Sequence, residues 1–152
     1  MPAIPDQTDR TLVLSRIFDA PRVRVFQAWT DPDQVAQWWG PEGFVTTSCQ
    51  MDIRPGGAFR FCMRSPAGTD HWKRGAYREI VEPERIVFSF AWEDPDGQPG
   101  HETVITVRFE AIGAQTRLTL QQAVFDTVAA CEDHRTGWTS CLQRFADWLN
   151  NV

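Results

Sequence analysis

The side chains in this sequence that could move protons or hold a metal are few. The three histidines are His71, His101 and His134. His134 follows Cys131 by three residues and precedes Trp138 by four, so on a helix the three share a face. Two ligands do not hold zinc, and no third stands near them in sequence. No metal is therefore expected, and His134 reads as a histidine lining a cavity or bonded within the core. Asp52 and Arg54, two apart on a strand, read as an ion pair fixing the turn Pro55-Gly56-Gly57. Glu79 alternates with Tyr77 and Gly75. If that face turns inward, Tyr77 and Glu79 form the polar pair of a cavity and can serve as general acid and base. If it turns outward, they are an exposed surface pair. There is no glycine-rich phosphate loop, nucleophile elbow or Ser-His-Asp arrangement, and no cofactor is expected.

The aromatic residues are richer material. Seven tryptophans occur in 152 residues. Trp29 and Trp148 are expected in the core, whereas Trp39, Trp92 and Trp138 fall in segments that should face a cavity. Phe59, Phe61, Phe88 and Phe90 join Trp92 as inward candidates by strand alternation. Such an excess of aromatic over convergent polar groups suits the stacking of a flat or greasy molecule.

Those residues must be positioned by elements that the hydrophobic period reveals. Residues 11–18 alternate as a strand. Asp19-Ala20-Pro21 opens a first short helix, with Asp19 or Ala20 at its cap. Asp31-Pro32 ends it and starts a second, which stops at Gly40-Pro41. From residue 45 the period changes to two, predicting strands over 45–53, around 59–63, and over 73–81, 86–92, 102–110 and 116–122. The segment 127–150 is helical, with Trp138, Cys141, Leu142, Phe145, Trp148 and Leu149 forming one apolar stripe. Short connections make the sheet antiparallel. About seven strands curl, and one long amphipathic helix must lie on their concave face. The expected architecture is α+β, a curved antiparallel sheet around a long C-terminal helix, with two short helices after the first strand. Space is expected to remain between helix and sheet. Residues 1–10 read as a flexible lead and 11–150 as a single domain.

Charge and cysteine usage narrow the function classes. The net charge is −5 and the basic residues are scattered, Lys73 being the single lysine, which argues against nucleic acid. No stretch is apolar enough to span a bilayer, so no membrane role is expected. Cys49, Cys62, Cys131 and Cys141 lack metal-site spacing and read as reduced thiols of a cytoplasmic protein. Cys62 reads as a small core hydrophobe.

Trp38-Trp39-Gly40-Pro41 followed by Met51-Asp52-Ile53-Arg54-Pro55-Gly56-Gly57 resembles the signature of the heat-shock-protein ATPase activator homologues. Gly75-Ala76-Tyr77-Arg78-Glu79-Ile80, Pro83-Glu84-Arg85-Ile86 and Gly137-Trp138 agree with it, so the resemblance runs from about Thr11 to Leu149. These homologues belong to the START-related (SRPBCC), birch-pollen-allergen-like superfamily. The resemblance implies a helix-grip fold with a central cavity. The co-chaperones behind the family name carry a further N-terminal domain, and about ten residues precede the first strand here.

The expected function is uptake of a small hydrophobic molecule in that cavity, lined by Trp39, Phe59, Phe61, Tyr77, Glu79, Phe88, Phe90, Trp92, His134 and Trp138. The alternatives are an enzyme of cyclase, dehydratase or hydrolase type using Tyr77, Glu79 or His134, and a co-chaperone or interaction module. A homodimer is a further expectation.

Overall fold

A computed structural model describes residues 7–151. Residues 1–6 of the expected lead lie outside the described residues. Gln7–Arg10 form one 3-10 turn. It is tied to the fold by the Phe125 amide, which donates to the Arg10 carbonyl at 3.0 Å.

The elements follow the expected order. Strand β1 (Leu12–Phe18) leads into α1 (Arg22–Thr30) and α2 (Pro32–Trp38). Six strands follow: β2 (Val45–Met51), β3 (Ala58–Arg64), β4 (Asp70–Val81), β5 (Arg85–Trp92), β6 (Thr103–Ile112) and β7 (Gln115–Ala123). The long helix α3 (Val128–Asn150) closes the chain. All pairings are antiparallel, in the order β1-β7-β6-β5-β4-β3-β2. The first strand thus returns beside the last, and one meander spans the rest. This is the expected α+β helix-grip architecture.

Local chemistry explains the ends of the helices. Asp31 caps α2, accepting from the Asp33 amide, with Pro32 in the first turn where its missing N–H costs nothing. Thr127 caps α3 by accepting from the Ala130 amide. The cap of α1 differs from expectation. Pro21, and not Asp19 or Ala20, occupies that position, and no side chain bonds there. The first turn of α1 therefore rests on packing: Val25, Phe26, Ala28 and Trp29 are buried.

The core lies between the concave face of the sheet and the three helices. Phe145 of α3 stacks near Phe18 of β1 (5.0 Å) and Trp38 of α2 (4.5 Å), joining the three layers. The Trp38 indole N–H donates to the Ala28 carbonyl at 3.1 Å, so a large ring is buried with its polar atom satisfied. Trp29 is core, as expected; Trp148 is only half-buried against it, beneath the Arg24 guanidinium.

Register shifts interrupt β2–β3 between Thr46 and Ser48 and β4–β5 between Tyr77 and Glu79. Such bulges bend strands and raise local twist, which curves the sheet around α3. The second one has a chemical result. Tyr77 pairs with inward-facing Phe88, but Glu79 pairs with Val87, whose side chain points to the opposite face. The expectation that Glu79 shares a face with Tyr77 fails because an extra residue, Arg78, breaks the alternation. Glu79 instead forms an ion pair with Arg85 on the outer side.

Candidate functional site

One end of the sheet–helix interface does not close. A cavity of about 440 Å³ lies between the inner face of β3–β5 and α3. Its sheet side is Met63, Lys73 and Phe90; its helix side includes Ala130, His134, Gly137 and Trp138. The loop after α2 supplies Trp39, Gly40, Pro41 and Phe44, and the rim carries His71, Trp92 and Asp133.

The loop is shaped by its sequence. Gly40 has φ +101°, a left-handed conformation that a side chain resists, and a Cβ there would come within 2.6 Å of the Met63 sulfur. This turn lets Trp39 drop inward, where it meets Trp138 edge-on at 5.2 Å and Phe61 at 5.1 Å. Three residues of α3 hold the loop down, Ser140 by accepting from the Glu42 amide at 3.0 Å. The Gly40 amide donates to Cys141 Sγ at 3.3 Å. Arg144 Nη1 donates to the carbonyls of Phe44, Pro41 and Trp39 at 2.7, 3.3 and 3.5 Å.

A buried polar chain fixes the opposite wall. Trp138 Nε1 donates to Gln122 Oε1 at 2.8 Å, and Gln122 Nε2 donates to Thr103 Oγ1 at 2.9 Å. Gln122 is fully buried on β7, so this glutamine orients the Trp138 ring from behind.

His134 is the first titratable group. Its Nε2 accepts from Trp92 Nε1 at 3.0 Å, which requires the ring to carry its proton on Nδ1. Burial, assisted by the positive charge of Lys73, lowers its pKa from 6.5 to about 4. At neutral pH the imidazole is therefore uncharged.

Lys73 is the second. The side chain is 2 % exposed. Its Nζ lies 3.1 Å from Met63 Sδ. The Trp39 and Trp92 ring centroids are 4.7 and 5.3 Å away, and those of Phe61 and Phe90 both 6.0 Å. Burial lowers its pKa from 10.5 to about 7, partly opposed by the Cys141, Cys49 and Cys62 thiols. Burial also pushes the Cys49 and Cys141 thiols up to about 11, so both are protonated at neutral pH.

The expected site residues separate into three groups. Trp39, Phe90, Trp92, His134 and Trp138 line the open cavity. Phe59, Phe61, Tyr77 and Phe88 pack behind it around a void of about 10 Å³, which Trp39 also touches. Burial pushes the Tyr77 hydroxyl further from ionisation. Glu79 is on the outer face, as described above. The expected reading missed Lys73, although it alternates with Gly75 and Tyr77 and is the single lysine of the chain. Among the described residues no group of three or more His, Cys, Asp or Glu could hold a metal. The four cysteines are free thiols, and Cys62 is buried in the core.

The fold has counterparts in a known family. The sequence model of the activator of Hsp90 ATPase homolog 1-like proteins matches residues 19–150. The chain belongs to this family. Its SRPBCC domain is similar to a Chromobacterium violaceum protein at 31% identity and TM-score 0.81, covering 92% of this chain and 96% of that one. The AHSA1 protein of Silicibacter pomeroyi is 28% identical at TM-score 0.85, covering 92% and 97%. A solution structure from Arthrobacter aurescens shares the fold at TM-score 0.87 and 24% identity, covering 98% and 91%. Comparison with curated proteins returns no match. No helix among the described residues is long and apolar enough to cross a membrane.

Gly137 of this family domain sits mid-helix on the cavity wall. A Cβ added there would meet only Pro41 Cγ, at 3.9 Å. Gly137→Ala should therefore raise stability by ~0.5–1 kcal/mol through helix propensity alone. Urea unfolding checks this, and a loss of stability would show that the loop needs the bare backbone.

Proposed function

We propose that this domain binds a small hydrophobic molecule in the cavity between the sheet and α3. The observation that carries the reading is a pocket of about 440 Å³ walled by Trp39, Phe44, Phe90, Trp92 and Trp138. That volume lies within the range of small-molecule sites, roughly 300–1,000 Å³. Aromatic walls contribute apolar area and ring faces without requiring a particular polar pattern.

The experiment is native mass spectrometry of the protein purified from its own host, compared with its denatured mass. A bound mass lost on denaturation is expected. Gly137→Phe supplies the control, because its ring would occupy the cavity while the helix keeps its packing. This variant should fold as the wild type does, lose the bound mass and fail to take up an apolar fluorescent probe. Undiminished probe uptake by the folded variant would remove the cavity from the argument.

An enzymatic reading draws on Lys73 and His134, the basic groups of the cavity whose pKa values are lowered. His134 is a weak base for proton abstraction at neutral pH, since its pKa of about 4 leaves little driving force. Tyr77 and Glu79, the other expected acids, lie outside the open cavity. Binding is thus better supported than turnover.

A further inference from the structure

Resting on the cavity reading above, we infer that the occupant is a small apolar molecule bearing one carboxylate, whose charged head is held by Lys73. Lys73 is a buried amine with no counter-ion among the described residues. The ion pairs of the described residues lie elsewhere, and none includes Lys73. An unpaired ammonium in an apolar interior is costly, and one built into a cavity wall is a ready site for an anion.

The groups that face Lys73 supply no negative charge. From β2 comes the Cys49 thiol, and from β3 comes Met63. From α3 come the Cys141 thiol and the imidazole of His134, both uncharged at neutral pH. Asp133 and His71 stand at the exposed rim. The Trp39, Phe61, Phe90 and Trp92 rings complete the surroundings of Nζ.

This arrangement ranks ligands by their head groups. A carboxylate gains a charge-assisted hydrogen bond from Nζ in a medium with little water. An alcohol of the same body gains only a neutral hydrogen bond. An amine meets repulsion from Lys73. The aromatic walls accept all three bodies alike, so the head group decides.

The sign of the pH dependence follows. Without ligand Lys73 gives up its proton near pH 7, and carboxylate binding requires the ammonium. Affinity for the acid is therefore near its plateau at about pH 6 and falls as pH rises through 7, by up to about tenfold per pH unit, with proton uptake on binding. Affinity for the alcohol does not fall in this way, since neutral binding needs no ammonium.

The test is calorimetric titration of the wild type with 2-naphthoate and 2-naphthalenemethanol, in buffers of differing ionisation enthalpy. At about pH 6 the acid should bind at least about tenfold more tightly than the alcohol. At about pH 8 its binding should take up close to one proton. In Lys73→Met, which keeps most of the apolar stem of the side chain and removes its charge, the preference should vanish while the alcohol still binds. Equal binding of both probes by the wild type, or a preference that persists in Lys73→Met, overturns the carboxylate assignment and leaves the cavity reading intact. Failure of both probes to bind overturns both. The wild-type comparison and the proton count stand even if the variant does not fold.

Discussion

Lys73→Met is expected to stabilise the fold by ~2–4 kcal/mol at about pH 6 to 7, a gain of several degrees or more in Tm for a domain of this size. The pKa of the buried amine falls from 10.5 to about 7, equivalent to ~5 kcal/mol of opposition to folding at about 1.4 kcal/mol per decade. Attraction to the surrounding rings offsets part of this. The unfolded chain keeps the proton up to 10.5 and the folded chain only to about 7, so wild-type stability rises with pH across that window. Below about 7 the penalty is complete, and above 10.5 it is gone. The variant lacks the effect, so the gap between the two should narrow steadily as pH rises. Urea unfolding of both proteins at about pH 6, 8 and 9.5 reads this directly. A variant less stable than wild type at the lowest pH would mean that the aromatic surround outweighs desolvation. His134 acts in the same direction at lower pH, since its pKa falls from 6.5 to about 4. Stability should therefore also decline as pH falls through that interval.

Gln122→Leu should have the opposite effect, a loss of ~2–4 kcal/mol. The substitution nearly conserves volume but removes the acceptor of the Trp138 indole and the donor to Thr103. Both partners are buried, so neither can turn to water without moving. The indole loses the acceptor it uses at 2.8 Å, and the Trp138 ring should shift into the cavity. The second substitution Trp138→Phe removes the orphan. The double variant should then lose less than the sum of the singles, with a coupling of ~1–2 kcal/mol in a double-mutant cycle. Neutral behaviour of Gln122→Leu would show that the polar chain neither stabilises the fold nor holds the ring. These two substitutions separate the roles of the walls: one sets the charge of the cavity, the other its shape.

The glycine turns connect the family signature to this shape. Gly56 has φ +85°, and a Cβ on Gly57 would lie 2.0 Å from the Asp52 carbonyl oxygen. The turn docks on β4 through the Gly56 amide to the Tyr77 carbonyl at 2.7 Å and the Tyr77 amide to the Gly57 carbonyl at 2.8 Å. The Asp52–Arg54 ion pair expected there is present at 2.8 Å. It is largely exposed and contributes little beside the backbone constraint. Tight backbone approach, and not side-chain charge, explains why small residues occupy these positions.

Much of the architecture was legible in the chain because its causes are local. Alternation in Phe59, Phe61 and Met63 marks a strand with one buried face, and the three- and four-residue spacing from Trp138 to Leu149 marks one apolar stripe. Short connections force antiparallel neighbours. These signals depend on period and turn chemistry, which each segment carries by itself. The candidate site was legible only in part. Trp39, Phe90, Trp92, His134 and Trp138 line the open cavity, and alternation and helical period are what tell which side faces inward. Period does not tell where the interior is filled. Phe59, Phe61, Tyr77 and Phe88 face the same way but close on one another, since packing distance between helix and sheet varies along the groove. Glu79 went to the wrong face because a bulge is set by pairing with β5, a contact absent from its own segment. Lys73 shows the same division most clearly. Its inward register was readable, but its cost was not: burial, and the lack of an ion-pair partner among the described residues, are properties of the strands, the loop and the helix assembled around it.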